Sequence, residues 1–204
     1  SFMHQNLGDV QRAQHDLPAA VEDYRCGLAV LRPLLTPQSA NRDWLGALYL
    51  LQLRLAATLM EQHDLDGALV SNREAVDAAK KLAQVEPDSL GRSHDLAVAE
   101  LGLGDVLVAH AEPREALPHH REASRLTTEI AGKMPGNTGA RAEMAYCLGV
   151  LGKTLAALSE NEEAQKTLTL ARDIWKELQK GSPLTPPQEA SLSEIEKMLS
   201  KLKQ

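Results

Sequence analysis

Apolar residues at Leu45, Leu48, Leu51, Leu55 and Leu59 recur at steps of three and four, with Gln52 and Arg54 among them. That spacing marks one face of a helix, not the alternation of a half-buried strand. The whole stretch from Leu45 to Met60 is the most apolar of the chain. It is shorter than the roughly 20 residues a bilayer requires, so it predicts a helix buried on most sides and no membrane span. The opening Ser1-Phe2-Met3-His4 shows no basic-then-apolar pattern of a secretory leader.

The pattern repeats along the chain. Leu7-Gly8, Leu55-Ala56, Leu103-Gly104 and Leu151-Gly152 advance by 48 residues each time. The same step relates Ala20, Ala68, Ala116 and Ala164; Gly27, Ala75, Ala123 and Ala171; and Pro87, Pro135 and Pro183. Small residues let two helices approach closely, because the ridges of one must enter the grooves of the other. Between the small columns stand turn segments such as Gln14-His15-Asp16 and Gln62-His63-Asp64, with Asp16, Asp64 and Asn161 as N-caps of the helices that follow. Each unit therefore reads as helix, tight turn, helix and a Pro-containing loop, with units at about 1–36, 37–84, 85–132 and 133–181. After the last, Thr185-Pro186-Pro187-Gln188 reads as an N-cap with a capping-box Gln. Leu192, Ile195, Leu199 and Leu202 then form one apolar face, predicting a capping helix over about 185–203 that covers the last unit.

Composition narrows the fold to the all-α class. The chain has 34 Leu and 28 Ala but 10 Val and 3 Ile, and aromatics are 3%. Leu and Ala favour helices, while β-branched and aromatic residues favour strands. The net charge of −6 argues against a general nucleic-acid binder, which needs a basic surface. Cys26 and Cys147 lie far apart, have no metal-ligand spacing and suit a reducing compartment.

The run Leu7-Gly8, then Ala20, Tyr24 and Gly27, resembles the tetratricopeptide repeat. The later units keep its small residues but place Asn72, His120 and Leu168 at the aromatic position. The common repeat is about 34 residues long, so a 48-residue period leaves about 14 more, roughly two extra turns in each helix. This resembles the long-helix tandem arrays of bacterial multidomain proteins, which often follow serine/threonine kinase-like or peptidase-like domains. The resemblance implies a right-handed α-solenoid of about four antiparallel helix pairs plus the capping helix, as a single repeat domain over 1–204. The alignment places residue 1 inside a first helix, so the chain is expected to be a piece whose missing domain lies upstream.

The resemblance also implies a concave face lined by the first helices, where the family binds peptides. Carried over by position, the candidate binding residues are Asn6, Asp9, Arg12, Arg54, Glu61, Asp105, Tyr146 and Lys153. The family's clamp for a peptide carboxylate uses several basic residues together. Here Asp9 and Asp105 oppose an anionic end, and Val98 and Gly102 stand where basic residues would be. A mixed groove, polar near the first two units and apolar near the last two, suits an extended or helical protein segment.

No phosphate loop, kinase motif or hydrolase motif is present; Gly102-Leu103-Gly104 lacks the third glycine and the following Lys-Ser/Thr. His119 and His120 are adjacent and diverge by about 100° on a helix, so with His110 they make packing or surface residues, not a metal pair. The expectation is a cytoplasmic, non-enzymatic protein-interaction scaffold without cofactor, metal, nucleic-acid or membrane partner. It is expected to be a regulatory or sensor region of a larger bacterial kinase-like protein. The alternatives are homo-oligomerisation through Phe2, Leu7 and Val10 of the first unit, or small-molecule sensing in the groove.

Overall fold

The computed structural model describes residues 2–35 and 41–202. The Phe2 side chain, the unit boundary expected at 36 and 37 and the helix end expected at 203 fall outside it. Among the described residues the chain runs α1 (Phe2–Ala13), α2 (Leu17–Leu31), a single 3₁₀ turn (Arg32–Leu34), α3 (Arg42–Glu61), α4 (Leu65–Val85), α5 (Leu90–Ala109), α6 (Pro113–Lys133), α7 (Thr138–Ala157), α8 (Asn161–Gly181) and α9 (Pro186–Lys201). Helices α3 to α8 have 20 or 21 residues each, the extra length that a 48-residue period demands.

Two repeated hydrogen-bonding devices set these lengths. The first closes the turn inside each pair. His15, His63, Ala111 and Ser159 stand 48 residues apart and all adopt positive φ, between 61° and 64°. At three of these turns the bonds complete a Schellman motif: His15 N–H to Arg12 O and Asp16 N–H to Gln11 O, His63 to Met60 and Asp64 to Leu59, Ser159 to Ala156 and Glu160 to Leu155. The next helix starts at once. Asp16 accepts from Ala19 N–H, and Asp64 from Gly67 N–H. The expectation that Asn161 caps α8 is corrected: the cap is Glu160, which makes no side-chain cap bond, and Asn161 is the first helical residue. The turn geometry keeps the 48-residue step from Asp16 and Asp64, and that step arrives at residue 160.

The second device opens the first helix of each pair. Asn41, Ser89 and Asn137 cap α3, α5 and α7 through their side-chain oxygens. Thr185, one further step on, forms the expected capping box with Gln188, whose Oε1 accepts from Thr185 N–H at 2.9 Å. Helix α9 therefore starts in register as a fifth first helix.

The molecule divides into two compact units, Ser1–His110 with α1 to α5 and Ala111–Gln204 with α6 to α9. In the first, each helix packs on its neighbour in sequence, and α3 also touches α1 and α5. Its core gathers Ala20, Tyr24, Leu28, Leu31, Leu51, Leu55, Leu59, Ala68 and Val106. In the second, α6 packs on α7, α7 on α8, and α9 on both α7 and α8. Its cores are Leu168, Ala171, Trp175, Leu184, Ile195 and Leu199, and Leu117, Leu151, Leu155 and Ala164.

The small columns are the close crossings the sequence predicted. A Cβ at Gly8 would lie 2.5 Å from the Tyr24 ring, and one at Gly152 would lie 2.5 Å from Leu168 Cγ. A residue with a side chain at either position would displace the partner helix. Ala20, Ala68, Ala116, Ala164, Ala75, Ala123 and Ala171 are all fully buried.

Candidate interaction site on the first helices

In the first unit the geometry begins with Gly8. Its missing side chain lets Tyr24 of α2 lie across α1, and the Tyr24 hydroxyl then donates to Asp9 Oδ1 at 2.7 Å. Burial, together with this bond to a carboxylate, raises the Tyr24 pKa well above the ordinary tyrosine value, so the phenol stays protonated and remains a donor. Asp9 in turn pairs with Arg54 of α3, Oδ1 to Nη1 at 3.0 Å. Beside it the order of charges reverses: Arg12 of α1 donates from Nε, at 3.0 Å, and from Nη2 to Glu61 Oε1 of α3.

Four of the eight candidate binding residues are thus brought together, as two crossed ion pairs between α1 and α3. Position in the repeat puts all four on one face, and there Arg54 is held by Asp9. The pairs are partly exposed, and pairs of this kind contribute about 0–1 kcal/mol, so an incoming charged segment can exchange with them at little cost. The buried Arg54 Nε and Gln11 Oε1 have no hydrogen-bond partner. Asn6 lies exposed on α1, and Asp105 is half-buried on α5.

In the second unit Tyr146 is 45% exposed on α7. Lys153 Nζ reaches Glu194 Oε2 of α9 at 3.1 Å, and Gly149 packs against Ile195. Helix α9 therefore rests on part of the α7 surface that the resemblance assigned to a ligand.

One further concavity had no signal in the sequence. A cleft of about 450 Å³ lies between α2 and α4 over α3, lined by Arg25, Leu28, Arg32, Gln52, Leu59 and Glu74 among others. Arg32 Nη2 donates to both Glu74 oxygens, at 3.1 and 3.0 Å, and the buried Gln52 Nε2 donates to the same carboxylate. These groups come from separate elements of the chain, so no local spacing announces them.

The histidines serve as packing and surface groups. His120 is buried at the position Tyr24 holds in the first repeat, with Nδ1 2.8 Å from Thr154 Oγ1. His110 Nε2 lies 3.1 Å from Asp66 Oδ1. Among the described residues no three His, Cys, Asp or Glu side chains gather as metal ligands, and no helix is long and apolar enough to cross a membrane.

No protein-family model matches the chain, and no curated protein matches it in sequence. Solved structures do match. The apo form of RapI aligns over 98% of this chain at 12% identity with a TM-score of 0.63, and the chain spans 64% of the RapI chain. MamA aligns over 98% of this chain and 88% of its own, at 17% identity with a TM-score of 0.52. TTC0263, a thermophilic TPR protein of Thermus thermophilus, aligns over 94% of this chain and 79% of its own at 19% identity, with a TM-score of 0.43. At these identities the likeness to RapI and MamA is one of fold alone, an all-α chain of paired helices.

Proposed function

We propose that the chain is a non-catalytic protein-interaction scaffold, and that the first-helix face of its first unit receives an extended or helical protein segment. The observation that carries this reading is the pair of crossed charges on adjoining first helices, Asp9 with Arg54 and Arg12 with Glu61. They are arranged in opposite order and exposed enough to exchange. A partner segment with both acidic and basic side chains satisfies such a surface, whereas a bare carboxylate end meets Asp9 and Asp105. Asn6 adds a neutral donor and acceptor at one side. Tyr146 and Lys153 form a separate candidate contact on α7 of the second unit.

The wider setting belongs to the same proposal: a cytoplasmic regulatory region of a larger bacterial multidomain protein. Its support is the resemblance of the 48-residue repeat to arrays that follow kinase-like domains.

Selection of random peptides on the whole chain tests the site. Enriched peptides are expected to carry both signs of charge and to bind about 5- to 20-fold more weakly to Arg54→Ala. The thermal unfolding of that variant should stay within a few degrees of the parent, since about 1 kcal/mol or less is lost. Enriched peptides that bind equally well to the Asp9→Ala/Arg54→Ala double variant would overturn the assignment.

A further inference from the structure

Arg25 of α2 and Arg32 just past its end both line the cleft between α2 and α4. Arg32 pairs with Glu74 of α4, 42 residues further on. The same separation of 42 joins Arg121 of α6 to Glu163 of α8, Nη2 to Oε2 at 2.8 Å. Taken from Arg25, it arrives at Gly67. In the 48-residue register Arg25 is equivalent to Arg121, and Gly67 to Glu163. Helix α4 therefore lacks the carboxylate that answers Arg121 between α6 and α8. Arg25 is exposed and makes no hydrogen bond or ion pair among the described residues.

The same cleft holds buried polar groups without partners. Ser71 of α4, one turn beyond Gly67, is buried, and its hydroxyl makes no hydrogen bond among the described residues. Thr58 in α3, by contrast, donates to the carbonyl four residues back. Gln52 of α3 is buried as well; it donates Nε2 to Glu74 and leaves Oε1 unpaired. Buried polar groups are rarely left in this state. Leu28, Leu55, Leu59 and Val70 supply apolar lining. Of the charged lining groups, Arg32 and Glu74 neutralise each other, so the charge of Arg25 is left over. The volume of about 450 Å³ lies within the range of sites for small molecules.

We infer that this cleft binds a small carboxylic acid with an aliphatic body and an amide beside the acid group, the chemistry of an N-acylated hydrophobic amino acid. The carboxylate takes the place at Arg25 that Glu163 takes at Arg121. The amide carbonyl accepts from the Ser71 hydroxyl, and the amide N–H donates to Gln52 Oε1. The aliphatic body covers Leu28, Leu55, Leu59 and Val70. The site is distinct from the crossed pairs of α1 and α3, since Asp9, Arg12, Arg54 and Glu61 do not line it.

Titration calorimetry of the whole chain with N-hexanoyl-L-leucine, and with N-hexanoyl-L-leucinamide as its uncharged counterpart, tests the assignment. Saturable binding of one acid per chain is expected, about tenfold tighter than that of the amide. Arg25→Ala should weaken the acid about tenfold and abolish its advantage over the amide. Arg25 is exposed and unpaired, so this variant should unfold at the temperature of the parent. Ser71→Ala should weaken both compounds about fivefold, and Arg54→Ala should weaken neither. No saturable binding, or an acid preference that survives Arg25→Ala, would overturn the inference. A hexapeptide ending in leucine carries the same groups at its C-terminus. Binding no tighter than that of the free acid supports the small molecule as ligand; tighter binding that Arg25→Ala removes would overturn that choice and give the cleft to a peptide end.

Discussion

Helices α1 and α9 occupy the same register at opposite ends of the chain, yet their apolar columns have opposite fates. Ile195 and Leu199 are buried against α8, while Met3 and Leu7, at equivalent positions, face outward. Both helices present the same kind of stripe; only in α9 does a second helix of the described chain lie over it. Burial in this fold is therefore a property of the neighbour rather than of the stripe, as expected where each repeat unit contacts only those beside it.

The largest expected difference comes from placing a charge in each stripe. Ile195→Asp buries a carboxylate without a partner and should cost about 3 kcal/mol or more. Leu7→Asp should cost about 1 kcal/mol or less, since water already reaches that side chain. Urea unfolding measures both, and equal losses would break the comparison. The close crossings sharpen it next. Gly152→Val and Gly8→Val should each destabilise by about 1–3 kcal/mol through overpacking, as should Ala68→Leu. Gly8 faces the Tyr24 ring, which has less room to turn aside than the Leu168 side chain at Gly152, so Gly8→Val should fall at the upper end.

Tyr24 ties α2 to α1, and pH probes that contact. Its pKa is ordinarily 10.0 and is raised in the folded state, first by burial and then by the bond to Asp9. The unfolded chain thus loses this proton first as pH rises. The stabilisation is complete below pH 10.0 and declines above it. Tyr24→Phe should cost about 1 kcal/mol at neutral pH and make the alkaline decline shallower. An unchanged slope above pH 10.0 would show that the bond to Asp9 does not hold α1 in solution. The smallest effect belongs to the turns. Ser159→Gly relieves a left-handed residue and should stabilise by about 0.5 kcal/mol, the penalty of the left-handed conformation being partly offset by the added freedom of the unfolded chain.

Much of the fold was legible because its causes are local or strictly periodic. The small columns, the prolines and the Thr185 capping box each carry their signal in a few residues. Two further regularities stand in the sequence and went unread: Asn41, Ser89, Asn137 and Thr185 are one column of caps, and α9 keeps the 48-residue step. The Asn161 cap failed by one position because a good capping residue lay beside the place that the turn geometry selects. The site was legible only in part. Asp9, Arg12, Arg54 and Glu61 stand on one face by position in the repeat, but their mutual pairing was not visible, since the partners come from different repeats and share no spacing.

By itself the sequence determined an all-helical chain, a 48-residue step, the positions of the turns and the residues that must be small. These follow from backbone propensity and from the steric demands of helices in contact, and both are written in residue type and period. Tertiary structure alone decided which charges hold one another and where α9 rests on α7. Those outcomes depend on which surface lies opposite each side chain, and that is set by the packing of helices distant in sequence.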